Sequence, residues 1–367
     1  MIRGFRNVAF VIGFVGIVSQ VGQTAWAQLN PFGFTRQGVV GGVSVDAEGV
    51  VQSASQIDRS GALTRLREVV RQTPGEMNQP AELRMVSLAG IQQELKKAVE
   101  NGVEISEDIR YLAGLQRVDH VFVYPEQNDI VIAGPAEGWI VREDASVVGV
   151  VSGRPVLQLE DLLVALRCVP GARQQAITVS IEPTPEGQQA VNRLLSQLVT
   201  GPGFSPNRVE PAIRKAFGPQ LVKLTTVPPD SRMAQTLVAA DYQMKRLAMN
   251  LESSPIGGLP SYMEMIRDVG SYGGTQPRWW IASKYDAILH SEDQLAWQLT
   301  GSGIQAMTEE QFVSSAGIRS AADRQNKQAQ KWADLFTTKY DELSQHISAF
   351  GELRNVMDLN VVATIIR

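Results

Sequence analysis

The sequence predicts an α+β fold: a mostly antiparallel sheet with flanking helices in a first part, and helices on a small sheet in a second. Three observations carry this. From residue 118 the apolar pattern shortens into VDHVFVYP, NDIVIAGP, EGWIVRE and SVVGVVSG, runs separated by Asn, Pro, Gly and Asp turn residues. Amphipathic stretches at helical spacing stand before and after these runs. A second β-rich stretch, RWWIASKY, QLAWQLTG and IQAMT, begins at residue 278 between long helical patterns.

Taken in order, GVVGGVSVDAEGVVQ (38–52) reads as a hairpin turning at Asp46-Ala47-Glu48-Gly49. Leu63, Leu66, Val69 and Val70 give 58–72 a helical face. Ser87 caps a helix over 88–101 that Gly102 ends, and a short helix starts at Ser106. After the four strands come a helix from Leu159 to Val169, a strand AITVSIEP and a helix opened by Pro185. TGPGFSPN (200–207) is the expected domain joint. Beyond it lie a short helix at 208–217, a strand LVKLTTV and a helix over 231–251. Met233, Leu237, Ala240, Met244 and Leu247 line one face of that helix, and Asp241 can pair with Lys245. A single long helix is predicted over 319–349, with Trp332, Leu335, Phe336, Tyr340, Leu343 and Ile347 on one face, then an apolar helix over 355–366. The last ends at Arg367 without a cap, so the natural chain is expected to continue.

The 367 residues carry a net charge of −4. Arg3 and Arg6 precede an apolar run at 8–18, and Ala25-Trp26-Ala27 fits the small-x-small rule for cleavage before Gln28. The run is shorter than the roughly 20 residues of a spanning helix. Residues 1–27 therefore read as a signal peptide and the protein as secreted or periplasmic, with no transmembrane segment after cleavage. Losing two arginines takes the charge from −4 to −6, which argues against nucleic acid as a partner. Cys168, alone, lies in the apolar LLVALRCV and is predicted to be buried. The mature chain divides into an N-terminal segment (28–56), a first α+β domain (57–200) and a second (208–367).

Recognisable reaction chemistry is missing. His120, His290 and His346 have no metal-ligand spacing, and neither a P-loop, a G-x-S-x-G elbow nor a dinucleotide fingerprint occurs. No cofactor and no metal are expected, and catalytic residues are not assigned. The candidate binding residues are Arg278, Trp279, Trp280, Tyr285, Asp286 and His290, with Asp293 nearby. On a strand Trp279 and Trp280 face opposite sides, so one enters the core and the other is available to a ligand or partner.

In VVGVVSGRPVLQLEDLLVALR (147–167), the order of strand, Gly153-Arg154-Pro155 turn and amphipathic helix is similar to the end of secreted PDZ domains. The Gly-Leu-Gly-like loop and the Pro-Ala-x-x-Ala-Gly-Leu stretch of those domains are missing. The stretch therefore reads as a strand, turn and helix closing the first sheet. Glu137, Trp139 and Arg154 are its candidate binding residues.

GPAEGWIV, SGRPVLQLEDLLVALR, ADYQMKRLAMNLE, GLPSYMEM, RWWIASKYDAILHSEDQLAWQL, AQKWADLFTTKYDEL and FGELRNVMDLNVVATII, in this order, resemble an uncharacterised family of planctomycete secreted proteins catalogued as a domain of unknown function. The resemblance implies an exported, soluble protein and no activity. The expected function is non-catalytic binding of a protein or an envelope polymer. The alternative is a hydrolase with an unfamiliar site acting on an extracytoplasmic polymer or peptide. Oligomeric state is left open.

Overall fold

The computed structural model describes residues 42–45, 56–70, 77–143, 145–197, 211–212, 215–216, 218–266, 275–314, 317–320 and 327–367. Gly38–Arg367 forms one compact unit, and Met1–Gln37 lies outside the described residues, as do the signal-peptide reading and the joint at 200–207.

The chain opens with β1 (Gly42–Val45), β2 (Gln56–Ile57) and α1 (Ala62–Val70). β3 (Ala81–Ser87) runs directly into α2 (Leu88–Asn101). Ser87 accepts a hydrogen bond from the Gly90 N–H, and Gly102 ends the helix at φ 62°. There follow α3 (Glu107–Arg110), β4 (His120–Tyr124), β5 (Asp129–Ala136), β6 (Trp139–Val141) and β7 (Val147–Gly149). Next come α4 (Leu159–Ala172), β8 (Ile177–Pro183), α5 (Pro185–Gln197), β9 (Gln220–Leu224) and α6 (Arg232–Ala248). The remainder is α7 (Tyr262–Met265), β10 (Thr275–Lys284), β11 (Leu289–His290), β12 (Ala296–Gln298), β13 (Gly303–Ser314), β14 (Gly317–Ser320), α8 (Lys327–Thr338), α9 (Tyr340–His346) and α10 (Ser348–Ile366).

The fold is α+β with mostly antiparallel sheets. One sheet has the order β14-β13-β10-β1-β8-β9, the second β2-β11-β12-β4-β5-β3, and β6 and β7 form a third by themselves. Only the β1–β10 and β2–β11 pairs are parallel among the described strands. Strands from before 200 and after 275 share both large sheets.

Three sequence expectations change. The hairpin at 38–52 is replaced by β1 seated between β8 and β10, with 46–55 outside the described residues. An isolated two-stranded hairpin is marginal, whereas a strand paired on both sides is not. The helix expected over 319–349 is broken: 317–320 pair with β13, Lys339 leaves helical geometry, and Ile347 is extended at φ −120°, ψ 106°. The breaks keep Phe336, Tyr340 and Phe350 inside, in one aromatic cluster with centroids 5.3–5.8 Å apart. Finally, β7 does not extend the sheet of β4 and β5 but pairs with β6, and Val148 bridges to Pro155 on its other side.

α10 packs against α4, α6, α9 and β13. It is apolar all round because it is buried all round: every residue from Leu353 to Thr364 is enclosed. The former end of the pattern is thus its centre. Gly351 lets Pro155 pack against the α10 backbone, since a Cβ there would sit 2.7 Å from the proline ring. Asn355 donates to the Pro155 carbonyl at 3.0 Å. The Gly-Arg-Pro turn therefore rests on α10.

Candidate functional site

The residues singled out at 278–293 do not share a cleft. Trp279 turns inward, edge-on to Trp332 (5.4 Å) and Tyr262 (4.9 Å). Trp280, on the opposite face, is half-buried, and the Arg278 side chain lies outside the described residues. His290 is buried, its ring 5.0 Å from Trp297 and its Nδ1 2.8 Å from the Ser291 carbonyl. Asp286 and Asp293 are exposed. The Asp293 carboxylate accepts from the Ser291 hydroxyl and the Leu295 N–H, and these bonds hold its pKa below the ordinary value. It is a turn anchor.

Tyr285 leads to a site that sequence reasoning missed. Its hydroxyl donates to Asp358 Oδ1 at 2.7 Å, in the middle of α10. Arg117 donates to both Asp358 oxygens at 3.2 and 3.3 Å, and the Val118 N–H reaches Oδ2 at 3.4 Å. Asp358 is 0 % exposed. Its charge raises the Arg117 pKa, while burial pushes Tyr285 well up and Asp119 up. Arg354, one turn earlier, donates to Asp341 at 2.8 Å, and burial lowers its pKa. Such a knot fixes three distant segments in one register. The signal was present in sequence as Arg354 and Asp358 at i and i+4 on a helix with no polar side.

A second buried carboxylate joins three helices. Asp161 of α4 is paired with Arg232 of α6, which also holds Glu352 of α10 at 3.0 Å. Burial raises the Asp161 pKa to about 6 against the opposing pull of Arg232. Asp241 and Lys245 pair at 2.6 Å as expected, and Cys168 is buried with its thiol pushed up. His120 is a half-buried strand residue whose pKa burial lowers to about 4.

A cavity of about 200 Å³ lies between the end of α6 and α7. This is below the ~300–1,000 Å³ of ligand pockets. Both carboxylates in its lining are engaged, Glu252 with Arg246 at 3.2 Å and Glu264 with the Ser261 N–H at 2.9 Å.

The β6–β7 hairpin differs from all of these. Its base is tied by Glu137, which is buried. Glu137 Oε1 accepts from the Gln116 amide (2.5 Å), the Ser152 hydroxyl (2.5 Å) and the Ser152 N–H (3.0 Å); Oε2 accepts from the Val151 N–H at 3.1 Å. Burial alone would raise this carboxyl, but the hydrogen bonds prevail and lower its pKa. Gly149 has no Cβ because one would collide with that carboxylate. Trp139 is half-buried, edge-on to Tyr111 at 6.0 Å, so one face of the hairpin is packed. Glu137 and Trp139 are thus largely structural, and Arg154 remains partly exposed. Beyond them Ile140, Val141, Val150 and Val151 are 49, 52, 59 and 75 % exposed.

No curated protein and no solved structure matches the chain. Residues 179–262, from within β8 to the start of α7, match the family model described as a protein of unknown function (DUF1598).

Proposed function

We propose that this protein is exported and acts outside the cytoplasm as a non-catalytic binding protein, with the β6–β7 hairpin as its contact surface. The observation that carries the reading is the contrast between engaged reactive groups and unengaged apolar ones. Asp358, Asp161, Glu137 and Asp293 each serve an internal contact, whereas four aliphatic side chains project from a hairpin anchored at its base. Exposed aliphatics on a rigid mount are a common basis for macromolecular contact. Export rests on the leader pattern of Arg3, Arg6 and 8–18, and planctomycete origin rests on the sequence resemblance alone.

The test uses the full chain with a C-terminal tag in a diderm host. The expected result is recovery in the osmotic-shock fraction with Gln28 at the N-terminus, and chemical crosslinks to an envelope component. Retention in the cytosol with Met1 intact would overturn export. Turnover of a peptide or polymer that Asp286→Asn and Asp293→Asn abolish would replace binding with hydrolysis.

A further inference from the structure

We propose that β9 pairs with β9 of a second copy of this chain, antiparallel about a two-fold axis at Val222, so that the two copies share one sheet. This goes beyond the binding reading above and does not depend on it.

β9 ends the first large sheet, with β8 on one side and no strand on the other among the described residues. Four of its five residues are exposed and the last, Leu224, is half-buried. Leu221 is 52 % and Val222 48 % exposed, and neighbours on a strand point to opposite faces. β9 therefore lacks cover on both faces as well as along its edge. Edge strands are ordinarily blunted by a proline or a bulge. β9 contains no proline, and its register with β8 is unbroken from Gln220 to Leu224.

The backbone of this edge is poised to pair. Thr225 donates to Thr178, directly opposite it one step beyond the Val179–Leu224 pair. Alternation then turns the N–H and C=O of Lys223 and Leu221 toward β8, and those of Leu224, Val222 and Gln220 outward. No partner for the outward groups occurs among the described residues.

The edge is also complementary to itself. With the axis at Val222, that residue exchanges both backbone bonds with Val222 of the second copy, and Gln220 does so with Leu224. Ile181, half-buried, stands opposite Val222 on one face. The row Ile181–Val222 then continues into Val222 and Ile181 of the second copy, β-branched side chains across four adjacent strands. On the other face the Lys223 stem lies against Leu221 of the second copy with its ammonium in water. An axis at Leu221 would set Val222 against Gln220, and an axis at Lys223 would set the two lysines face to face. A foreign strand would have to supply an aliphatic row that a second copy already has. A two-fold contact uses the same patch on both copies and stops at two. So short a contact is small beside the ~1,200–2,000 Å² of a stable complex, which makes the dimer weak and concentration-dependent.

The test is sedimentation equilibrium of the full chain from about 1 μM to about 1 mM, where a reversible monomer–dimer equilibrium is expected. The copies carry the same net charge of −4, so added salt should tighten the dimer. Val222→Lys sets two ammoniums across the axis; it should leave the melting curve unchanged and the chain monomeric throughout. Cys168 is buried, so an added surface cysteine is the one that reacts. Under mild oxidation Val222→Cys should give a disulfide-linked dimer, because residues opposed in a bonded pair lie ~5.5 Å apart. Leu224→Cys should not, because its two copies lie four residues apart along the strands, about 13 Å. Hydrogen exchange at the Val222 and Leu224 amides should slow as concentration rises. A chain that is monomeric at millimolar concentration overturns the inference. So does a dimer that Val222→Lys leaves intact, or equal trapping at positions 222 and 224. Slow exchange at these amides where the chain is still monomeric would show that its own residues cover the edge, and the inference falls in that case too.

Discussion

The Asp358 knot and the β6–β7 hairpin treat polar and apolar groups in opposite ways. At Asp358 a fully buried carboxylate joins a buried phenol and a mostly buried guanidinium. On the hairpin four aliphatic side chains are exposed and, among the described residues, the Arg142 and Arg154 guanidiniums lack carboxylate partners, although Glu137 fixes the base as firmly as any core contact. A buried ion cluster adds little net stability compared with apolar packing, but it is costly to break and it fixes register. An exposed aliphatic cluster on an open edge is a liability that proteins ordinarily blunt. The first arrangement serves the fold; the second is explained by contact with something else.

The largest expected effect lies in the knot. Asp358→Ala removes the main counter-charge of the partly buried Arg117, leaving only the weaker pull of Asp119, and strips an acceptor from Tyr285 and Val118. The expected loss is about 3–5 kcal/mol, read as a lower urea midpoint with an unchanged slope. A loss under about 1 kcal/mol would mean that the cluster is wetter than its enclosure implies, and the comparison would lose its buried half.

Asp161 gives an expectation with a sign. Its folded-state pKa is raised from 3.8 to about 6, so the favourable contribution is fully present below about 3.8 and is lost as pH rises through about 6. Asp161→Asn cannot titrate. The stability of the wild type minus that of the variant should therefore fall by up to about 3 kcal/mol between about pH 4 and pH 6.5. Urea melts of both proteins across that range check it. A flat difference would show that Arg232 fully compensates the burial of Asp161.

At the hairpin base the expected effect is smaller. Glu137→Ala leaves the Val151 and Ser152 N–H groups without their acceptor and the Gln116 amide with only the Ser152 hydroxyl, at a cost of about 1–3 kcal/mol. Faster hydrogen exchange should be confined to the 149–154 turn. Gly149→Ala should act in the same direction, because its Cβ meets the same carboxylate. Global loosening would mean that the hairpin is part of the cooperative core and not a mounted appendage.

Much of the architecture was legible because it is local. Ser87 and Gly102 bracket α2 at both ends, and the four strands from 118 to 153 follow their turn residues. β1 was misread because its partners, β8 and β10, are more than a hundred residues away. β3 went unforeseen although Leu83 and Met85 alternate with Glu82 and Arg84. The candidate residues fared unevenly for a related reason. Alternation on a strand told that Trp279 and Trp280 part company, but not which one enters the core. Arg154 was found from its turn, whereas Arg142, Ile140 and Val150 become a surface only once the register of β6 and β7 is known. The quoted sequence blocks also meet in space: SGRPV touches FGELRN through Pro155 and Gly351, and LEDLL touches α6 through Asp161 and Arg232. Their pattern is accounted for by packing.

The smallest expected effect is the most informative one for the hairpin. Ile140→Thr plus Val150→Thr replaces two solvent-facing aliphatics by β-branched residues that suit a strand equally well. Neither side chain belongs to a buried cluster, so stability should stay within about 0.5 kcal/mol of wild type in a thermal or urea melt. A fold that kept these residues for its own sake would lose more than that, because packing would go with them. If the melt is unchanged and solubility at high protein concentration rises, the aliphatic surface has no role within the monomer and is free for a partner. If the melt drops by more than about 1 kcal/mol, the hairpin face is covered by the chain itself, and the contrast with the Asp358 knot becomes one of degree.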